Sequence, residues 1–123
     1  MEMERTKLFD SELKLMELVW KNAPVSAKEL SLLAQAQIGW NKNTTYTILK
    51  KLVEKSAVKR EEPNFVCTPL VTREEVLQAE TESLIDRLFQ GSRKAFFAAF
   101  FNREKLSDEE IEELKRIIDK NEG

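Results

Sequence analysis

The sequence predicts a mainly α fold that carries one small β-hairpin. Three observations lead there. Leu, Lys and Glu dominate a chain of 123 residues that is 41% hydrophobic and 34% charged, a composition that favours helix. Ser26-Ala-Lys-Glu29, Thr72-Arg-Glu-Glu75 and Ser107-Asp-Glu-Glu110 each read as a capping box, flanked by apolar pairs spaced as hydrophobic staples (Val25 with Leu30, Val71 with Val76, Leu106 with Ile111). Between the first and second boxes, AVKREEPNFVCTPLV reads as two short strands, 57–60 and 65–68, around a Glu62-Pro63-Asn64 turn.

Taken in order, a first helix opens at Asp10 or Ser11. Leu13, Met16, Val19 and Trp20 recur at three- and four-residue spacing, and Pro24 ends it. A second helix runs from Ser26 to about Gly39 with Leu30, Leu33 and Ala34 as its apolar set. A third begins near Asn41, and the hairpin follows. Helix, helix, helix and hairpin in this order describe a winged helix-turn-helix, assigned to residues 1–71. Residues 72–123 form a helical part. Leu77, Thr81, Leu84 and Leu88 make a short seam over 73–90, widened by Ile85 and Phe89, and Gly91 stands as a C′ residue. SRKAFFAAFFN concentrates Phe96, Phe97, Phe100 and Phe101. A last helix from Asp108 places Ile111, Leu114, Ile117 and Ile118 on one face.

Composition removes whole classes of chemistry. With no histidine and one cysteine, Cys/His zinc sites, histidine acid–base catalysis and an internal disulfide framework are excluded. The three glycines are isolated, so no phosphate loop exists. No enzyme activity, catalytic residue, metal or cofactor is expected. No apolar run approaches the ~18 residues of a membrane span, and the opening MEMERTKLFDSE is charged. The expectation is a cytoplasmic protein without a membrane partner. Trp20, Trp40 and Cys67 are expected in the core.

WNKNTTYTILKKLVEK, residues 40–55, carries the functional signal. At about 100° per residue, Thr45, Ile48, Leu49 and Leu52 form a buried stripe. Asn43, Thr47, Lys50 and Glu54 lie opposite, flanked by Tyr46 and Lys51. A polar, lysine-bearing face is usually a solvated face. Two features favour DNA instead. Residues 41–60 hold six cations against Glu54, although the chain is net −2, and the helix occupies the recognition slot of the winged helix. Asn43, Thr44, Tyr46 and Thr47 are then candidates for base contact. Lys42, Lys50, Lys51 and the wing residues Lys59 and Arg60 are candidates for phosphate contact, on double-stranded operator DNA.

The helical part is too short to bury its own apolar surface. Leu77, Leu84, Leu88, Phe96, Phe97, Phe100, Phe101, Ile111, Leu114 and Ile118 are candidate dimerisation residues, and a homodimer would read a pseudo-palindromic site. The alternative is a helical interaction module that binds a protein partner through the phenylalanine-rich part.

Residues 9–123 resemble the penicillinase-repressor (BlaI/MecI-type) family of bacterial winged-helix repressors. The matching pieces are SELKLMELVWKNAPVSAKEL, GWNKNTTYTILKKLVEK, TPLVTREE, LIDRLFQGS and EKLSDEEIEELKRII. The resemblance implies a cytosolic homodimer whose N-terminal part reads DNA, repressing genes for β-lactam resistance or related stress responses. In antibiotic-responsive members, a protease acting for a membrane sensor cleaves the dimerisation part at an Asn–Phe bond. Here the aligned pair is Ala99-Phe100, the candidate cleavage position. The family's recognition helix usually opens Trp-Ser-Pro-Lys-Thr, where this chain has Trp40-Asn41-Lys42-Asn43-Thr44. A basic residue is common at the position of Tyr46, and a glycine at that of Ser56. The copper-responsive branch has a C-terminal cysteine cluster, whereas this chain ends KNEG.

Overall fold

The computed structural model describes residues 7–103 and 106–122. Its elements in chain order are α1 (Asp10–Asn22), β1 (Val25–Ser26), α2 (Ala27–Gln37), α3 (Lys42–Glu54), β2 (Val58–Glu61), β3 (Val66–Pro69), α4 (Arg73–Phe89), α5 (Arg93–Arg103) and α6 (Asp108–Glu122). They form two compact units, dividing between Thr81 and Glu82 inside α4. The architecture is a winged helix with a helical part after it.

In the first unit, local chemistry sets the helix ends. The Glu12 carboxylate accepts from the Phe9 N–H at 2.8 Å and so closes the first turn of α1. Ser26 caps α2 through the Glu29 N–H at 3.1 Å, and Glu29 reaches back to the Ser26 N–H at 3.3 Å. Thr72 and Glu75 repeat this reciprocal pair at 3.0 and 2.8 Å, so both expected boxes form. Gly39, with φ +89°, turns the chain out of α2. Asn41 then caps α3 by accepting from the Thr44 N–H at 2.8 Å. Helix α3 stops in a Schellman motif. Ser56 takes φ +62°, the Ala57 N–H bonds the Leu52 carbonyl at 2.9 Å, and the Ser56 N–H bonds that of Val53 at 3.0 Å. The glycine expected from the family at this position fits that left-handed conformation.

The sheet corrects the hairpin expectation in two ways. Each strand sits one residue later than predicted, and a third strand exists. The order is β1-β3-β2, all antiparallel, with Val25 opposite Cys67 and Arg60 opposite Cys67 on the other side. Val25 and Ser26 thus serve three purposes, as staple, N-cap and edge strand. The core beneath gathers Leu15, Met16, Val19, Leu30, Leu49, Leu52, Val58 and Cys67, each no more than 2% exposed. Burying each large aliphatic side chain contributes roughly 1.5–3 kcal/mol. The predicted face of α1 is incomplete: Leu15 and Leu18 are buried as well, while Leu13 and Trp20 are half-buried. Trp20 donates its indole N–H to the Val71 carbonyl at 2.9 Å, and the Arg73 guanidinium covers its ring at 4.9 Å while pairing with Glu17. The first residues of α4 are thereby fastened to α1.

One ionic contact is deeply placed. Glu12, 1% exposed, pairs with the Lys55 ammonium at 2.6 Å, which also lies 4.4 Å from the Phe9 ring centroid. It joins the start of α1 to the cap of α3. Among the described residues, Glu12 Oε2 is buried without a hydrogen-bond partner.

In the second unit, Ser107 and Glu110 form the third box at 3.1 and 2.9 Å. Ser92 caps α5 by accepting from the Ala95 N–H at 3.1 Å, a start that the sequence pattern did not mark. Two left-handed residues close α4, Gln90 at φ +49° and Gly91 at φ +81°. On α5, Phe96 lies edge-on to Phe89 at 5.7 Å and stacks with Phe100 at 6.4 Å, and Phe97 stacks with Phe101 at 5.7 Å. Among the described residues no helix is long and apolar enough to cross a membrane.

Candidate nucleic-acid interface

Helix α3 is divided as its periodicity dictates. Thr45, Ile48, Leu49 and Leu52 are its buried residues. They pack against α1, α2 and β2, which fixes the rotation of the helix about its own axis. Thr45 also anchors the first turn, its hydroxyl donating to the Asn41 carbonyl at 3.3 Å. Asn43, Thr47, Lys50, Lys51 and Glu54 are exposed together on the opposite side. An amide, a hydroxyl and cations on one rigid helix face can donate to and accept from base edges and phosphates.

The remaining predicted residues divide into groups. Lys42 is exposed and its ammonium sits 5.7 Å from the centroid of the Tyr46 ring. Among the described residues, Lys42, Lys50 and Lys51 make no ion pair. Tyr46 is half-buried and lines a groove with Pro24, Ser26, Lys28, Asn64 and Phe65. It therefore lies between α3 and the tip of the wing. Thr44 is half-buried, with its N–H taken by the Asn41 cap. Lys55 leaves the basic stripe, since its charge is committed to Glu12.

The wing separates Lys59 from Arg60. Neighbours in a strand point to opposite faces. Arg60 lies opposite Cys67, on the face that turns toward the core, while Lys59 lies opposite Thr68 on the outer face. There Lys59 pairs with Glu61 at 3.3 Å. The Arg60 guanidinium stands 4.9 Å from the centroid of the Phe65 ring. Burial pushes the Cys67 thiol above its usual range, and the nearby positive charge of Arg60 partly opposes this. Phe65 and Lys28 are exposed beside Tyr46 of α3. The sequence pattern did not single them out, because both reach this surface through the fold rather than through a local motif.

The candidate dimerisation residues carry exposed apolar surface in the single chain. Leu77 is 64% exposed, Leu88 61%, Phe97 47%, Phe100 51%, Phe101 39%, Ile111 38% and Ile118 58%. Leu84, Phe96 and Leu114 are half-buried. Ala99 and Phe100, the candidate cleavage pair, lie in the middle of α5 and are exposed.

Comparison with known proteins agrees with this architecture. A model of the family described as penicillinase repressor matches residues 8–120. The penicillinase repressor of Bacillus licheniformis is 26% identical over 115 residues, covering 92% of this chain and 90% of the relative. The methicillin resistance regulatory protein MecI of Staphylococcus aureus (strain N315) is 26% identical over 116 residues, covering 93% and 94%. A penicillinase repressor of Staphylococcus aureus is 24% identical over 110 residues, covering 88% and 87%. A match over nearly the whole chain, on a winged helix followed by a helical part, establishes that this protein belongs to the penicillinase repressor family.

Proposed function

We propose that this chain is a cytoplasmic transcriptional repressor that binds a pseudo-palindromic operator as a homodimer. The observation that carries the reading is the division of α3, with four buried residues on one side and Asn43, Thr47, Lys50 and Lys51 together on the other. In a winged helix this face enters the major groove. Asn43 and Thr47 read base edges, and Tyr46 positions the wing side of the helix. Lys42, Lys50 and Lys51 bind phosphates, and Arg60 approaches the duplex from the wing. The exposed residues of α4, α5 and α6 pair with those of a second copy, so two recognition helices meet two half-sites. Linking the two contacts raises affinity far above that of either alone, which makes the dimer the point of control. Relatives named for penicillinase and methicillin resistance favour genes of β-lactam resistance or a related stress response as targets. If a regulatory protease relieves repression, the bond between Ala99 and Phe100 is its position, and cleavage there requires local opening of α5.

The test is a selection from fragments of the source genome at two salt concentrations. Recovery of a two-fold symmetric motif, with affinity falling steeply as salt rises, is expected. No binding at low salt would return the basic face to simple solvation. It would favour the second reading, a protein-interaction module acting through the phenylalanines of α5.

A further inference from the structure

The wing raises a question that phosphate binding does not answer. Residues 58–66 contain two cations, Lys59 and Arg60, and two acids, Glu61 and Glu62. Lys59 spends its charge on Glu61 at 3.3 Å. With as many acids as cations, the segment has no excess positive charge to draw it to phosphates. At its tip stands a large apolar ring, Phe65, 45% exposed and held at φ +50° directly after Asn64 at φ +70°. A side chain other than glycine in this region is disfavoured, so folding alone gives no reason for phenylalanine here.

The surroundings of that ring do. The Phe65 carbonyl accepts from the Ala27 N–H at 3.0 Å and from the Cys67 thiol at 3.4 Å. The tip is thus pinned to the start of α2. Arg60, exposed and on the Cys67 side of the wing, lays its guanidinium over the ring at 4.9 Å. This cation–π contact restricts the guanidinium before any ligand arrives. Asn64 and Phe65 share a groove wall with Tyr46 of the recognition helix. Resting on the reading of α3 as a major-groove helix, we infer that the Arg60–Phe65 pair is a minor-groove reader for A·T-rich pairs flanking each half-site. Arginine favours the narrow, strongly negative minor groove of A·T tracts, and an exposed apolar ring at a tip is the kind of wedge that packs against base steps there. Guanine hinders this contact because its N2 amino group projects into that groove.

The experiment uses the full chain and the duplex recovered by the selection. Flanking A·T pairs are replaced singly by G·C or by inosine·cytosine, which presents the major groove of G·C but lacks the minor-groove amino group. At one symmetric pair of positions, G·C is expected to weaken binding about tenfold and inosine·cytosine less than about twofold. Phe65→Gly, which relieves the left-handed strain, and Arg60→Lys, which keeps the charge but loses the planar fork, should each reduce the G·C penalty to under about threefold. The melting temperature of Phe65→Gly should not fall. Equal penalties for inosine·cytosine and G·C would overturn the inference in favour of major-groove reading. So would flanks that tolerate every pair, or a Phe65→Gly protein that retains the whole G·C penalty. In each case motif binding by α3 would persist, whereas loss of all duplex binding by the unmodified chain would overturn the repressor reading as well.

Discussion

Replacing Lys55 with methionine isolates the contact between Glu12 and Lys55. The substitution keeps the approximate length of the side chain and removes its charge, leaving a carboxylate that is 1% exposed without its cation at 2.6 Å. Breaking a buried pair from one side typically costs about 3–5 kcal/mol. The Lys55 side chain is 26% exposed, so water reaches part of the site and an expectation of about 2–3 kcal/mol is more appropriate. For a unit of this size that lowers the melting temperature by roughly 8–24 °C. Glu12→Gln strands the lysine instead, and that ammonium can rotate into solvent, so the loss should be smaller, about 1 kcal/mol. Joining Glu12→Leu to Lys55→Met removes both charges and should return to within about 1 kcal/mol of the unmodified protein. Thermal and urea unfolding followed by Trp20 and Trp40 fluorescence measure all four proteins. Equal losses for the two single substitutions, or a Lys55→Met loss below about 0.5 kcal/mol, would refute the assignment of Glu12 as the confined partner. The salt slope of DNA binding should be unchanged in Lys55→Met, because this lysine faces α1 rather than the duplex.

Three further outcomes are expected. Lys50→Ala and Lys51→Ala should weaken binding on every sequence and lower the salt slope by about 0.9 for each phosphate no longer neutralised, as read by fluorescence anisotropy over a salt series. Ser56→Gly should raise stability by about 0.5–1 kcal/mol, since it removes a left-handed strain of about 1–2 kcal/mol against a larger unfolded-state entropy; a melting curve decides, and the DNA motif should not change. Cys67 has its thiol raised by burial, so the folded state favours the protonated form. Its contribution is complete below the unfolded thiol range, about 8.5, and is lost as pH rises through the folded value. Urea unfolding between pH 7 and 10 should show a decline that Cys67→Ala abolishes.

Legibility followed the range of the interactions. All three capping boxes were readable because both partners lie three residues apart and their hydrogen bonds are local. The buried stripe of α3 was readable because a period of about 3.6 residues alone assigns Thr45, Ile48, Leu49 and Leu52 to one side. Strand β1 was not, since two residues pair only with β3, some 40 positions away. The same limit hid the contact of Glu12 with Lys55, 43 residues apart. The wing strands were bounded one residue early, and because strand faces alternate, adjacency in sequence placed Lys59 and Arg60 together where the sheet sets them on opposite faces. Phe65 escaped notice because its exposure depends on two left-handed residues at the tip. Of the apolar residues assigned to a second copy, Leu77, Leu88, Phe97, Phe100, Phe101, Ile111 and Ile118 are exposed in the single chain, whereas Val76 and Ile85 of α4 are buried.

The most direct test of the central reading compares the DNA motif recovered by the unmodified chain with that recovered by an Asn43→Ala, Thr47→Ala protein. Both residues are exposed on α3 and away from its packed side, so folding and dimer mass should be retained. If the face of α3 reads bases, the altered protein relaxes its preference at two symmetric positions of the half-sites. The relaxation is about 1–3 kcal/mol for each discriminating side chain removed, with the salt slope preserved. An unaltered motif of unaltered strength would contradict the account and remove α3 from the reading of sequence.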